Sequence, residues 1–280
     1  ECSSDSCDEC GLCGGSGTTE YWPDADGDGL GSESGFGYAL NFDGNDQVIV
    51  SDHTDLRITG NITVEAWFKV DPSNANDWVR IVGKGNAGVN NSPRNYGLWY
   101  HKNGHFSFQQ YGSGGVTTNV QSNQPVEDDR WYHIAGVREN GSSSKLYLDG
   151  QLVAEDSSPV TTPHTSADPL RIGYGEIHDY HRGNIDEVRV WNVARSVSEI
   201  QNNMNSELSG SEESLVAYYN FNEGSGSTLD DLTGNGHNGT ISGATWIANE
   251  GGSSSTFYCD ANVPDGWADN TNDNDDNCAS

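Results

Sequence analysis

An acidic loop near the amino terminus places three carboxylates at alternate positions. Asp24, Asp26 and Asp28 lie in the sequence DADGDGLG (24–31), and glycine follows both the second and the third aspartate. Side-chain oxygens at positions i, i+2 and i+4 can converge on one hard cation, the glycines permit a tight turn, and the carbonyl of Leu30 is the next available oxygen. The pattern predicts a calcium loop with Asp24, Asp26, Asp28 and Leu30 as ligands.

This loop matches only the first half of an EF-hand. Position twelve is Gly35, where an EF-hand has a bidentate glutamate, and neither flank shows the apolar periodicity of a helix. We therefore expect the remaining ligands to come from elsewhere in the chain.

Charge is concentrated at the two ends of the chain. The 280 residues include 42 acidic and 13 basic ones, yet residues 1–35 and 249–280 contain no Lys or Arg. Acidic runs are typical of solvated tails, but D-x-D patterns interleaved with Gly, Asn and aromatic residues favour segments ordered by divalent cations. An acidic surface argues against nucleic acid and anionic membranes as partners, because binding to either requires Lys and Arg to neutralise phosphate groups. No apolar run is long enough for membrane insertion.

The six cysteines show the same asymmetry. They are confined to the ends, at Cys2, Cys7, Cys10, Cys13, Cys259 and Cys278. An even number in segments too small to bury a core predicts disulfides and an oxidising, extracellular or cell-surface setting. We expect Cys259 to pair with Cys278, while the first four allow three connectivities. A zinc or redox site at Cys7-x-x-Cys10-x-x-Cys13 is the alternative.

The two ends together resemble one known element. Residues 20–32 (EYWPDADGDGLGS) and 257–278 (FYCDANVPDGWADNTNDNDDNC) resemble the front and back of a thrombospondin type 3-like calcium-binding repeat of the bacterial kind. The resemblance implies a discontinuous, calcium-binding element made of residues 20–35 and 249–280, preceded by a Cys-rich segment, 1–19. It implies further calcium ligands among Asp269, Asp273, Asp275 and Asp276.

The intervening residues read as an all-β protein. Short β-branched and aromatic segments alternate with Gly, Asn, Asp and Pro, which favours a sandwich of antiparallel sheets. Asn103-Gly104 and Asp149-Gly150 predict two-residue hairpin turns, and Ser196 with Glu199 predicts the capped start of a single helix. The predicted strands are 47–50, 62–70, 96–100, 105–109, 131–138, 145–148, 170–173 and 185–191.

Six stretches of this region resemble the laminin G-like, or concanavalin A-like, jelly-roll domain. They are 39–48, 62–69 (ITVEAWFK), 130–137 (RWYHIAGV), 145–153 (KLYLDGQLV), 183–201 (GNIDEVRVWNVARSVSEIQ) and 215–246. The resemblance implies a jelly-roll sandwich of two antiparallel sheets over residues 36–248, with its first and last strands adjacent. It also implies a second calcium site formed by Asp43, by Asn45 or Asp46, and by Asp186; an ion pair with Arg189 is the alternative role of Asp186.

The same fold carries glycoside hydrolases and lyases, but the acidic pattern that they need is missing. Retaining hydrolysis requires two carboxylates about 5 Å apart, usually written E-x-D-x-E on one strand. No such run occurs, and strand alternation places Asp186 and Glu187 on opposite faces. We therefore expect a protein that is not an enzyme.

Binding is the expected role. Aromatic rings in such folds stack on sugars while polar side chains fix the hydroxyls, and the candidates lie in predicted loops: Trp78, Arg94, Tyr96, Tyr174, His178, Asp179, Tyr180, His181 and Arg182. The sequence thus predicts an extracellular, calcium-binding, non-catalytic module for a glycan or a matrix or surface protein. The alternatives are a structural subunit that assembles with copies of itself in a fibre or tandem array, and a polysaccharide hydrolase or lyase.

Overall fold

The computed structural model describes most of the central region and three short terminal strands. The described residues are 18–23, 37–74, 78–85, 94–102, 104–112, 117–157, 161–174, 180–248, 256–259 and 267–269. The chain divides into two compact units, one of Glu1–Gly35 with Glu250–Ser280 and the other of Phe36–Asn249.

The described residues form mainly β-strands. The first strands are β1 (Thr18–Pro23), β2 (Tyr38–Asp43), β3 (Gln47–Val50), β4 (Ile62–Val70), β5 (Trp78–Gly85), β6 (Arg94–His101), β7 (His105–Tyr111), β8 (Thr117–Gln121), β9 (Trp131–Glu139) and β10 (Ser143–Leu148). The later strands are β11 (Gln151–Asp156), β12 (Leu170–Ile172), β13 (Arg182–Trp191), β14 (Leu215–Tyr219), β15 (Thr228–Leu229), β16 (Gly239–Ser242), β17 (Thr245–Ala248), β18 (Thr256–Cys259) and β19 (Trp267–Asp269). The helical elements are a 3₁₀ turn (Thr54–Leu56) and helix α1 (Val197–Asn203).

Two eight-stranded antiparallel sheets form the second unit. The first sheet has the order β11-β10-β9-β4-β13-β2-β17, with β14 also paired to β13, and the second has the order β15-β16-β3-β12-β5-β6-β7-β8. The first and last strands of the unit are neighbours, since Tyr38 of β2 lies opposite Ala248 of β17. The predicted all-β jelly-roll sandwich is confirmed.

The central strands of the first sheet, β4, β9 and β13, are buried on both faces. On β4, Val64 and Phe68 belong to the core between the sheets, while the alternate residue Glu65 points to the other side and is also buried. Helix α1 covers part of that outer side, where Ile200 packs against Ala135 and Val137. Burying one such apolar side chain stabilises the fold by about 1.5–3 kcal/mol.

The local signals in the sequence were accurate at the helix and at one of the two hairpins. Ser196 and Glu199 form the predicted capping box of α1. Asp149 and Gly150, both with positive φ, join β10 to β11 as the predicted two-residue turn. The other turn was predicted wrongly: His101 pairs directly with His105, so three residues lie between β6 and β7.

In the first unit, strands from both ends of the chain lie in one sheet. Strand β1 lies between β18 and β19 and is antiparallel to both, with Thr18 opposite Cys259 and Tyr21 opposite Asp269. Within the described part of the chain, no helix combines the length and apolar character needed to cross a membrane.

The two sheets approach each other closely at Gly136 of β9. A Cβ atom there would overlap the ring of Phe108, which is fully buried on the opposite sheet. We expect Gly136→Ala to lower the free energy of unfolding by about 1–3 kcal/mol, because an added methyl group overpacks a filled core. Urea denaturation measures this effect.

Gly60→Ala is the matched control, because nothing lies within 4 Å of a Cβ at Gly60. That variant should change stability by less than about 0.5 kcal/mol. Adding Phe108→Leu to Gly136→Ala should recover part of the loss. Equal stabilities for the two glycine variants would contradict the proposed close packing.

Candidate ligand-binding site

One end of the second unit collects most of the described residues that were predicted to bind a ligand. There β2 ends at Asp43, β3 begins at Gln47 and β13 begins at Arg182, and β12 ends beside β3 because Ile172 lies opposite Val48. We call this end, defined by the Asp43–Asp46 turn with Tyr174, Tyr180 and Arg182, the acidic rim.

The acidic turn is held by its own side chains. Asp46 is buried, and its Oδ2 accepts a hydrogen bond of 2.7 Å from the backbone N–H of Asp43. Oδ1 lies so close to Gly243 that a Cβ there would overlap it. Burial raises the pKa of Asp46, while the hydrogen bond from Asp43 acts in the opposite direction. The Asp46 carboxylate therefore has a structural role in the turn.

Arg182 provides positive charge at the same turn. It lies opposite Asp43 in the β2–β13 pair, and its guanidinium lies across Gly44, where a Cβ would overlap Nε. Gly44 has a φ of 97°, so both its conformation and the approach of Arg182 favour glycine.

Two tyrosines mark the neck of the next loop on the rim. An isolated β-bridge joins Tyr174 to Tyr180, and their ring centroids are 4.6 Å apart. The neck is fixed by backbone hydrogen bonds from His181 N–H to Gly173 O (2.9 Å) and from Gly173 N–H to Ile81 O (2.8 Å). Both tyrosines are half-buried, so this neck presents two partly exposed rings on a fixed backbone.

His181 anchors this neck in the core. Its ring is fully buried at 5.8 Å from Phe42 and 6.4 Å from Phe68, and Nδ1 lies 3.1 Å from Tyr100 Oη. Burial lowers the pKa of His181 to about 4, although the hydrogen bond with Asn184 O favours the charged form. The prediction that His181 faces a ligand was therefore wrong, because its side chain points into the core.

Arg171 and Gln47 stand beside the tyrosine pair. Arg171 Cζ lies 5.3 Å from the Tyr174 ring centroid, and its Nη1 donates a hydrogen bond of 2.6 Å to Gln47 Oε1. Sequence reasoning missed both residues. The usable signal was alternation, since Arg171 lies between the core residues Leu170 and Ile172 and must point away from the core.

The other predicted ligand residues are distributed differently. Trp78 begins β5 and is half-buried against His101, with ring centroids 5.0 Å apart, so it lies at a strand end instead of in a loop. Arg94 begins β6 at the opposite end of the second sheet, with its Cζ 4.5 Å from the Trp99 centroid. Tyr96 is a core residue whose hydroxyl donates to Leu56 O, and its assignment as a ligand residue was wrong.

Two further predicted residues are described only by their backbone, and the others lie outside the described part of the chain. Asp269 belongs to β19 and Cys259 to β18, of which only the backbone is described. The remaining ones are Asp24, Asp26, Asp28, Leu30, His178, Asp179, Asp273, Asp275, Asp276, Cys2, Cys7, Cys10, Cys13 and Cys278.

Asp186 does not lie at the acidic turn. Because Arg182 is opposite Asp43, Asp186 follows four residues further along β13. At about 3.3 Å per residue, Asp186 is about 13 Å along the strand from the turn. Its Oδ1 accepts a hydrogen bond of 2.7 Å from the backbone N–H of Glu187. Asp43, Asn45, Asp46 and Asp186 therefore do not fit one shared calcium ion, and a cation at the turn would also be repelled by Arg182.

A β-bulge changes the expected orientation of Glu187. The ladder shifts between Asp186 and Arg189, and Glu187 has a φ of 49°. Its carboxylate accepts hydrogen bonds from Tyr218 Oη (2.8 Å) and Arg189 Nε (3.1 Å) on the outer side of the first sheet. The expectation that Asp186 and Glu187 lie on opposite faces was wrong, because simple alternation fails at a bulge.

Glu65 forms a second buried ionic group on that outer side. Arg195 Nη1 lies 2.9 Å from Glu65 Oε1, and His133 Nε2 lies 3.3 Å from Oε2. Burial opposes ionisation, but His133, Arg189 and Arg195 together lower the pKa of Glu65 to about 2. Removing one partner of such a buried pair costs about 3–5 kcal/mol. These acids are therefore structural and closed to solvent.

The second sheet has an unexpected charge composition for so acidic a chain. Its eight strands contain no Asp or Glu in the described residues. They contain the cations Arg80, Lys84, Arg94 and Arg171. A pair of catalytic carboxylates on the strands of this sheet is thus excluded.

Comparison with known proteins identifies the family. Residues 42–201 match the laminin G-type family model described as "Concanavalin A-like lectin/glucanases superfamily". The chain belongs to this superfamily. No curated protein matches it.

Several solved structures are similar to this chain. A Bacteroides ovatus protein with a proposed carbohydrate-binding role has 24% identity and a TM-score of 0.59 over 75% of this chain and 59% of its own, so this chain spans less than two thirds of that protein. A SAP-like pentraxin from Limulus polyphemus has 14% identity and a TM-score of 0.44 over 59% of this chain and 80% of its own. The binding domain of botulinum neurotoxin DC has 12% identity and a TM-score of 0.46 over 57% and 39%, respectively.

The buried His181 predicts a pH dependence of stability. The pKa of His181 is about 4 in the folded protein and about 6.5 in the unfolded chain. Below pH 6.5 the imidazole is therefore protonated in the unfolded chain while it stays neutral in the folded protein. This contribution is complete above pH 6.5 and is lost as the pH falls towards 4. Between pH 7 and 4.5 we expect a loss of about 2 kcal/mol in urea denaturation.

His181→Phe and His181→Gln should both reduce this pH slope, whatever their effect at pH 7. His164→Gln is the matched control, since His164 is only half-buried. An unchanged slope in both His181 variants would show that other groups cause the pH dependence.

Proposed function

We propose that this chain is an extracellular, non-catalytic carbohydrate-binding module whose ligand binds at the acidic rim. One observation carries the proposal: Tyr174 and Tyr180 are half-buried residues whose ring centroids lie 4.6 Å apart, on a neck anchored by His181. Rings held in this way can stack on the apolar face of a sugar with little loss of conformational entropy on binding.

Polar groups suited to sugar hydroxyls lie beside the rings. Arg171 supplies N–H donors and Gln47 an amide, and their mutual hydrogen bond fixes both side chains. Asp43 is exposed at the turn and adds acceptors, with Arg182 nearby. A few placed polar groups around an apolar platform are the usual composition of a small-ligand site.

Family membership supports the same role. The superfamily includes lectins, and the similar Bacteroides ovatus structure is described in carbohydrate-binding terms. The charge distribution favours binding over hydrolysis, since Glu65 and Glu187 are buried and hydrogen-bonded and the described strands of the second sheet carry no acid. A glycan or a glycosylated surface protein is the partner that this site suits.

A glycan array with the full chain tests the proposal. We expect binding to at least one class of glycan and a loss of about tenfold in affinity for Tyr174→Ala and Tyr180→Ala, which corresponds to about 1.4 kcal/mol per stacking ring. Tyr38→Ala is the matched control, because Tyr38 is 40% exposed at the other end of β2. Binding that survives both rim substitutions would place the ligand elsewhere, and sugar release from a bound polysaccharide would contradict a non-catalytic role.

We also propose, from the resemblance of the terminal segments, that calcium has a structural role in the first unit. Excess EGTA should then lower the melting temperature, and added calcium should restore it where added zinc does not. An ion present at about 100-fold its Kd contributes about 2.7 kcal/mol. Asp26→Asn with Asp28→Asn should abolish the response, while Asp186→Asn should retain it. A melting temperature unaffected by EGTA would refute structural calcium.

A further inference from the structure

Two histidines and an aspartate meet at the end of the second unit opposite the acidic rim. His53 and Asp55 follow the carboxyl end of β3, and His237 precedes β16. One imidazole nitrogen from each histidine and one Asp55 carboxylate oxygen all lie within 4.8 Å of one another. The centroids of the two imidazole rings are 4.7 Å apart.

The register of the second sheet explains this meeting. Val50, the last residue of β3, lies opposite Gly239, the first residue of β16. The chain leaves the sheet after Val50 and enters it before Gly239 at the same place, so His53 and His237 face each other although they are distant in sequence. The sequence contains no short metal-binding motif that would have revealed them.

His237 is held by two hydrogen bonds of its backbone and has a buried ring nitrogen. It is 3% exposed, its backbone N–H donates to Asp231 Oδ2 (3.0 Å), and its carbonyl accepts from Tyr219 Oη (2.6 Å). Its Nε2 is buried and has no hydrogen-bond partner among the residues that the structure describes. An unsatisfied buried polar atom is destabilising, so a ligand bound at this nitrogen would stabilise the fold.

The other two side chains can adjust to an ion. The side chains of His53 and Asp55 are 51% and 56% exposed, and His53 Nδ1 lies 3.2 Å from Asp55 Oδ2. Their backbone is fixed, because His53 caps the 3₁₀ turn Thr54–Leu56 and Leu56 is buried in the core. One buried ligand and two exposed ones therefore lie on an ordered backbone, with one ligand atom of each within 4.8 Å of the others.

We propose that His53, Asp55 and His237 form a binding site for a divalent transition metal ion of the zinc class. Two imidazole nitrogens and one carboxylate are a ligand set of zinc, whereas calcium and magnesium prefer oxygen alone. Three protein ligands leave a position for water or for a donor group of a bound molecule. The ion links the 3₁₀ turn to the segment before β16 and satisfies the buried nitrogen of His237.

Zinc titration of the full, non-reduced chain tests this site, with ZnCl2, CaCl2 and MgCl2 compared by calorimetry and thermal melting. Zinc at about 100-fold its Kd should raise the melting temperature by about 5–10 °C. His53→Gln and Asp55→Asn change exposed side chains and should fold normally. Each should weaken zinc binding by about 100-fold or more, since losing even an outer partner of a metal ligand costs about 10- to 100-fold.

His164→Gln is the control and should bind zinc as the unchanged protein does. Co2+ provides a direct readout, because its visible spectrum reports nitrogen ligation and should disappear in His53→Gln and in His237→Asn. Equal zinc affinity in the unchanged chain and in His53→Gln would overturn the proposal, as would a chain that binds no zinc. A zinc response that persists in all variants would assign the ion to other ligands, such as the terminal cysteines.

Discussion

The pairing of Glu65 with Arg195 and His133 limits which surfaces of the sandwich a ligand can reach. A charge with no solvent exposure is tolerated only when it is paired, and Glu65, Glu187, Arg189 and Arg195 neutralise one another under α1. The outer face of β4 and β13 beside α1 is therefore closed to solvent, and a ligand cannot reach these acids. Function is left to the outer face of the second sheet and to the two ends of the sandwich.

The second sheet complements this arrangement. Its described strands contain no acidic residue, and cations and an aromatic ring lie on its outer face. Trp99 lies between Arg80 and Arg94, whose Cζ atoms are 4.7 and 4.5 Å from the Trp99 ring centroid. Trp99 is itself 2% exposed, so this stack fills the middle of the face. Two partly exposed aromatic residues remain at the rim, where Tyr174 follows β12 and Tyr180 precedes β13.

The sequence predicted the fold well and the site only in part. Alternating apolar residues, Asp149-Gly150 and the Ser196 capping box are local signals, and each was confirmed because no tertiary contact opposes it. Tyr96 and His181 were misassigned, because polar-looking aromatic residues next to a loop are equally suited to anchoring it from the core. The bulge at Glu187 and the pairing of Arg182 with Asp43 depend on register, which a single strand does not encode. For the same reason, His53 and His237 could be brought together only by the structure.

The two ends of β3 thus acquire different chemistry from one short strand. Before Gln47, oxygen ligands predominate, but Asp46 is committed to its turn and Arg182 already supplies the positive charge, so the acidic rim has little need of a cation. After Val50, nitrogen ligands predominate, and within the described part of the chain the buried Nε2 of His237 has no hydrogen-bond partner. Charge alone would assign a metal to the acidic end. The hydrogen bonds of these side chains favour a metal at the histidine end instead. A buried nitrogen without a partner is destabilising, whereas the hydrogen-bonded carboxylate of Asp46 is not.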